Sequence, residues 1–532
     1  MNLTWYFKKV LTRIKLEKKL SNLFRNSAAN NNKKEIILLE FSNWSINHLC
    51  SAYVCDILSK KYKATIESFP SYPLTTVALE QNILQIFFWR LGNLFSLKTF
   101  GIYKSLGARN IFWPKINDDI KKKAISEFRQ YKKKIKSNES LQNYKINDIL
   151  IGDLIYDSYL KKTLRPTIDV NSLRFKNFFL DSLKLYFFWD NFFYKNNIRS
   201  IVLFHSVYLG ALPLRFGISR KIPTYVLQFN KLYKVNKKRI FTGKQYLDFK
   251  KIFNKFSYSE KNNNLKIAKI KILDRFSGIL PTDLLFADKS AFSKTANSNR
   301  VLEKSKKIKI LIATHSFCDS PHAFGNFFFA DMYIWLENLG KISNQTNYDW
   351  YIKCHPDYSR YFDNTEEIVK DFVKKYPRIK FLKSCTPHQK IIQEGIDYVL
   401  TVYGTIAGEY PYFGINVITA TKNHSQTQYD FTIKPKNKKE YLQLLRNLEK
   451  PKKVRMQKKV LEHYYMKYEY FNNRWFFDDL NKVKKEVKGY ENFFREEIYN
   501  YWLHNFELIE HKKKYFNIEK SINSNEYVMV NK

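Results

Sequence analysis

The chain has 532 residues, 44% of them hydrophobic and 17% aromatic, enough apolar material for two or three domains with cores of their own. No apolar run reaches the roughly 18 residues a membrane span needs, and the charges in the opening segment MNLTWYFKKVLTRIKLEKKL leave no room for the apolar stretch of a secretory leader. A net charge of +43 favours anionic partners such as phosphate or a lipid surface, although dispersed Lys- and Asn-rich tracts also read as solvated faces of a compositionally biased chain.

The first 24 residues place Lys8, Lys9, Arg13, Lys15, Lys18 and Lys19 against one acid, Glu17, with Trp5, Phe7, Leu11, Ile14 and Leu20 interleaved. Residues 1–32 are therefore expected to form a basic amphipathic helix, suited to an anionic membrane surface or to packing on the body of the protein. EIILLEF (35–41), NHLCSAYVCDILSKKY and KATIESF then read strand, helix, strand. An aromatic-rich helix, SLRFKNFFLDSLKLYFFWDNFFYKN, precedes the buried strand IRSIVLFHS (198–206). A helix ending near Gly217 and the strand IPTYVLQ follow, so that 33–230 forms one Rossmann-like α/β domain with a helical insertion. Residues 231–305, polar and Lys/Asn-rich, read as a helical connection or linker.

The second half alternates strands with helices. KKIKILIATHSF, YDWYIKCHP, IKFLKS, DYVLTVYG and INVITA are strands. FGNFFFADMYIWLENLGKIS, PHQKIIQEG and TIAGEYPYFG are the helices between them. That pattern predicts a parallel sheet over 306–440, a second Rossmann-like domain, followed by a basic helical extension over 441–532. Cys50, Cys55, Cys318, Cys354 and Cys385 are irregularly spaced without a C-x-x-C pair, which favours reduced thiols and a cytoplasmic address.

In a sheet of this kind ligands bind beyond the carboxyl ends of the strands, where strand order reverses. Four polar clusters fall at such ends in the second domain. The first holds Thr314, His315, Asp319, His322, Gly325 and Asn326; the second Lys353, His355 and Asp357; the third Thr386 and His388; the fourth Tyr403, Gly404, Thr405 and Glu409. Lys353 and His355 lie where a buried strand stops, turned toward whatever occupies the sheet edge. Gly404 permits a sharp turn, Thr405 starts a helix whose free N–H groups suit phosphate, and Glu409 lies on the same helical face, where a carboxylate accepts ribose hydroxyls. In the first half, Glu40 and His205 end strands. No D-x-D pair stands in a strand-end context, so no metal is expected.

THSFCDSPHAFGN, YDWYIKCHPD and DYVLTVYGTIAGEYPYFGINVIT resemble the C-terminal half of two-domain (GT-B) glycosyltransferases of bacterial surface polysaccharides. The nearest group is the capsule polysaccharide proteins that include Kdo transferases, and bacterial sialyltransferases share a similar His-Pro element. The resemblance covers roughly residues 305–425. It implies two Rossmann-like domains facing a central cleft, the first for the acceptor and the second for the nucleotide-sugar, CMP- or UDP-linked, with no further cofactor. It implies that His355, Lys353 and Thr405 meet the phosphate and Glu409 the ribose. Glycosyl transfer also needs an acceptor-side base, for which Glu40 and His205 are the candidates and Asp319 and His322 the alternatives from the second domain. The acceptor would be lipid-linked or an oligosaccharide of a capsule or lipopolysaccharide, at the inner face of the cytoplasmic membrane and without specific nucleic acid. Where relatives carry Ser-Ser or Ser-Thr this chain has Tyr403-Gly404-Thr405, one hydroxyl fewer. A CDP-glycerol-type polyol-phosphate transferase and a non-catalytic nucleic-acid- or membrane-binding protein remain the alternatives.

Overall fold

The computed structural model describes residues 3–24, 32–71, 83–228, 231–280, 290–292, 299–356, 358, 364–452, 455–472, 476–477 and 480–529. The chain divides into two compact units, the first comprising Met1–Ile155, Val170–Thr242 and Asn473–Lys532, the second Tyr156–Asp169 and Gly243–Asn472.

The first unit is built on strands β1 (Asn32–Phe41), β2 (Ala64–Pro70) and β3 (Ala108–Ile111), the short hairpin β4 (Lys145–Ile146) and β5 (Ile149–Leu150), and β6 (Asn197–Leu203), β7 (Thr224–Gln228) and β8 (Lys231–Val235). Its main sheet has the order β3-β2-β1-β6-β7-β8, with only the β7–β8 pairing antiparallel. Chain order thus reverses between β1 and β6. Both faces of this sheet are covered, which is why β1 runs Ile36-Ile37-Leu38-Leu39 without alternation, each side chain buried. The helix Ile46–Tyr62 is buried along nearly its whole length, polar residues included. The carboxy-terminal helices explain this: Tyr499 OH lies 2.9 Å from His48 Nδ1, and Tyr515 OH donates to Asp56 at 2.5 Å. The first helix, Leu3–Phe24, packs on the same region through buried Leu16, Leu20 and Phe24 and a 2.6 Å Lys9–Glu497 ion pair. Leu20 is therefore core, whereas Phe7, Leu11 and Ile14 stay exposed. Of the expected interfacial residues, the Trp5 side chain lies outside the described residues.

The second unit holds β9 (Lys309–Ala313), β10 (Asp349–Lys353), β11 (Ile379–Leu382), β12 (Tyr398–Thr401), β13 (Asn416–Thr419) and β14 (Thr432–Ile433) in the order β11-β10-β9-β12-β13-β14, every pairing parallel. Here the reversal lies between β9 and β12. Ile310, Ile312, Trp350, Ile352, Leu400 and Ile418 of the strands interlock with Trp335, Leu336 and Leu339 of the helix Met332–Ser343. That helix starts at Asp331, whose carboxylate accepts the Ile334 amide at 2.7 Å, seven residues later than Phe324 where the apolar pattern suggested. Both units are Rossmann-like α/β layers, as the alternation of strands and helices predicts.

Three expectations change. Residues 231–305 are not a linker: 231–235 form an edge strand of the first unit, and the helix Tyr258–Phe276 belongs to the second. The extension 441–532 is divided, with 473–532 joining the first unit. TIAGEYPYFG is two 3-10 turns, Thr405–Gly408 and Tyr410–Phe413, rather than one helix. Pro411 has no N–H to offer Ala407, so an α-helix begun at Thr405 cannot continue through it.

Helix Leu212–Ser219 lies so close to the first sheet that a Cβ on Gly217 would sit 2.4 Å from Ile201 and 2.5 Å from Thr224. Gly217→Ala is expected to destabilise the protein by about 1–3 kcal/mol, read as a lowered urea midpoint with an unchanged slope.

Candidate functional site

At the reversal point of the first unit, Glu40 near the end of β1 meets His205 just beyond β6. Glu40 is fully buried. One of its oxygens takes His205 Nδ1 at 2.8 Å, and the other accepts the amides of Phe204 at 2.6 Å and His205 at 3.2 Å. Burial pushes this carboxyl upward, but the His205 charge and hydrogen bond, the Phe204 amide and Ser71 outweigh it and hold the group below the usual range. An ionised Glu40 is acceptor-only, so it fixes the proton on Nδ1 and leaves the lone pair of a neutral ring on Nε2. Trp44, 42% exposed, packs edge-on to the imidazole at 5.2 Å. The sequence offered Glu40 and His205 as separate candidates; the fold makes them a carboxylate–histidine pair.

In the second unit the loops after β9 and β12 are fastened by His315. Its Nε2 accepts the amides of Val402 at 3.3 Å and Tyr403 at 3.1 Å and lies 3.1 Å from Thr401 Oγ1. Burial, and then the charge of His355, lower its pKa to about 3, so the ring is neutral and structural in this arrangement. Thr314 is likewise occupied, its amide bonding the Lys353 carbonyl at 3.2 Å. Gly325 adopts φ +92°, where other residues are strained, and its carbonyl accepts Tyr403 OH at 2.8 Å. The next carbonyl, of Asn326, accepts the Asn423 amide at 2.5 Å.

Beside this reversal point four basic groups converge. Lys353, the last residue of β10, is 3% exposed rather than open at the edge, and burial lowers its pKa to about 8. Among the described residues no ion pair joins it. His355 falls to about 4, first through burial and then through the charges of Lys353 and Arg275. His388, its Nδ1 2.9 Å from Tyr410 OH, lies well below its ordinary value through burial and then through Lys353, Arg275 and His355. The Phe292 ring connects the cluster, 5.4 Å from the His388 ring and 5.3 Å from the Arg275 guanidinium. Thr405 stands half-buried at the head of the first 3-10 turn, and Gly404 before it would carry a Cβ only 2.6 Å from Thr401 Oγ1. Thr386 is buried, and Asp357 lies outside the described residues.

Arg275 was not legible as a site residue, because its segment read as linker. It comes from the last turn of helix Tyr258–Phe276, and its Nε donates to Glu409 Oε1 at 3.0 Å while Nη1 donates to Ser290 at 3.0 Å. The helical signal was present: a Ser257…Glu260 capping box, then Ala268, Ile272 and Phe276 at fourfold spacing, all buried. Lys244, in the same segment, is also buried and donates to the Phe324 carbonyl at 2.7 Å.

Three sequence candidates are corrected. Glu409 is the buried counter-charge of Arg275, not a carboxylate open to ribose. Asp319 accepts Lys161 at 3.1 Å, an ion pair rather than a poised base. His322 is 1% exposed, with Nδ1 2.6 Å from Asp157 and Nε2 3.0 Å from the Ala330 carbonyl, so both ring nitrogens are spent inside the core. Among the described residues no group of three His, Cys, Asp or Glu side chains is placed to hold a metal.

No family model matches this sequence, and no curated protein sequence matches it. The chain is similar to UDP-GlcNAc 2-epimerase of Methanocaldococcus jannaschii, solved with UDP-GlcNAc and UDP, at TM-score 0.24 and 9% identity over 80% of this chain and 97% of that one. The UDP-GlcNAc 2-epimerase of Neisseria meningitidis bound to UDP-GlcNAc gives 0.19 and 11% over 81% and 99%. A UDP-glucose:anthocyanidin 3-O-glucosyltransferase in complex with UDP gives 0.21 and 10% over 90% and 100%. Likeness at this distance leaves the functional reading to the chain's own residues.

Glu409→Gln leaves Arg275 buried without its counter-charge, and breaking such a pair typically costs about 3–5 kcal/mol. The variant should melt several degrees below wild type in the absence of any ligand; unchanged melting would show the pair to be dispensable.

Proposed function

We propose that the protein is a glycosyltransferase that moves a sugar from a nucleotide-sugar to a growing surface polysaccharide. The observation that supports it most is the convergence of Lys353, His355, Arg275 and His388 at the strand ends beside the reversal point of the second unit, with Glu409 as the one carboxylate paired there. Lys353 is buried with no ion-pair partner among the described residues, its charge and that of Arg275 help hold both histidines neutral, and a nucleotide phosphate fits this chemistry. Lys353 and Arg275 supply fixed charge to the phosphate, Thr405 a hydroxyl, and Glu409 keeps Arg275 oriented. His355, neutral while the site is empty, gains a proton as the anion enters and passes it to the departing phosphate oxygen.

In this reading the Glu40–His205 pair of the first unit supplies the base. His205 Nε2 is the atom suited to take a proton from an acceptor hydroxyl bound to the first unit. Glu40 stabilises the imidazolium that results, without accepting the proton itself. The nucleotide is CMP- or UDP-linked, and the acceptor is a lipid-linked or oligosaccharide chain of a capsule or lipopolysaccharide.

CMP, UMP, CDP and UDP should each be tested for thermal stabilisation, the productive nucleotide adding about 2.7 kcal/mol at 100 times its dissociation constant. Affinity should fall more steeply above about pH 8, because Lys353 titrates near 8 in the empty site and its bound, charged form is favoured only while it can keep its proton. Lys353→Met should abolish this pH dependence and weaken binding about tenfold or more. It should also raise the melting temperature of the empty protein, since it removes a buried charge. Failure of every nucleotide to stabilise the wild type would remove the basis of this reading.

A further inference from the structure

The first unit carries a second feature that nucleotide chemistry does not use. Helix Ile83–Leu94 and the turn after it leave Ile83, Leu84, Phe87, Phe88, Leu94, Phe95 and Leu97 between 50% and 81% exposed. Only Trp89 and Gly92 of the helix are buried. Exposed apolar side chains concentrated in this way on one short segment mark an interaction surface.

The neighbouring short helix Thr99–Ser105 connects this patch to the first helix of the chain. The ring of Phe100 closes on Gly92, and the Glu17 carboxylate of the first helix closes on Gly101. That first helix presents Phe7, Lys8, Leu11, Ile14, Lys15 and Lys18 to solvent, one stripe of its surface, while Glu17, its only acid, faces Arg13 and Gly101. Residues 83–117 contain no acid at all, against Arg90, Lys98, Lys104, Arg109 and Lys115. Arg90 and Lys115 line a cavity of about 600 Å³ beside the helix, together with the rings of Trp89 and Trp113. Exposed apolar side chains, cations around them and excluded acids are the composition of an interfacial membrane element. A second copy of this chain would bring cations against cations, which disfavours self-association.

We propose that helix Ile83–Leu94 and the exposed stripe of Leu3–Phe24 form a docking face for a bilayer containing anionic lipids, with Phe87 and Phe88 entering the interface. The surface of attachment is broader than the amino-terminal helix that the sequence suggested.

The test is flotation of the intact protein with phosphatidylcholine vesicles, with and without phosphatidylglycerol, comparing wild type with Phe87→Ser/Phe88→Ser. Both side chains are more than half exposed, so the variant should melt as wild type does. Wild type should float with the anionic vesicles and not with phosphatidylcholine alone, and the variant should lose about tenfold or more of the bound fraction. Equal binding of the two proteins would overturn the proposal, as would no binding by wild type. It is equally overturned if light scattering shows a dimer that the double substitution dissolves. The vesicles carry neither nucleotide nor sugar acceptor, so failure here and failure of the glycosyltransferase reading are separate results.

Discussion

The constraint on which the second unit turns is the burial of a lysine at the end of a central strand. Lys353 is drawn to 3% exposure without a carboxylate partner among the described residues, and its charged form is correspondingly disfavoured. A chain selected for stability alone would place an apolar residue there. Around it stand His355, His388 and Arg275, and the charges of Lys353 and Arg275 help hold both histidines neutral. The Arg275–Glu409 pair keeps one of these charges permanent, and the aromatic ring of Phe292 packs between Arg275 and His388. The strands beside the cluster, β9, β10 and β12, are bonded residue by residue in parallel register.

The two units solve the same positioning problem with different chemistry. Each has its strand order reversed at the sheet centre, and each collects polar side chains there. In the first the product is an ionised carboxylate that orients a histidine; in the second it is a buried lysine and a paired arginine beside two neutral histidines. A transferase needs both a base for the acceptor and a charge sink for the leaving group, which is the division the proposed function assigns.

The central strands of both sheets were legible because parallel, doubly covered strands read as short apolar runs, IILL and WYI among them, whereas the edge strands β3, β8 and β14 were not read. Lys353, His355 and His388 were legible as strand-end residues for the same reason. Side-chain partners were not. Nothing in the spacing of Glu409 announces that Arg275, 134 positions earlier, fills its hydrogen-bonding capacity, or that His322 is claimed by Asp157. Nor did periodicity reveal that Pro411 divides TIAGEYPYFG into two turns, although its missing N–H was in the sequence to be counted. The exposed helix Ile83–Leu94 was overlooked because its apolar residues resemble core until the structure shows which face is covered.

The central claim is that the basic cluster is a phosphate site whose histidine changes charge on binding. Calorimetric titration of the intact protein with CMP and UDP at pH 6, in two buffers of different ionisation enthalpy, measures the protons exchanged. His355 titrates near 4 in the empty site, so wild type should take up more protons on binding than His355→Gln, which should retain weaker binding. Tight binding with the same proton exchange in wild type and variant, or no binding of either nucleotide, would contradict the account.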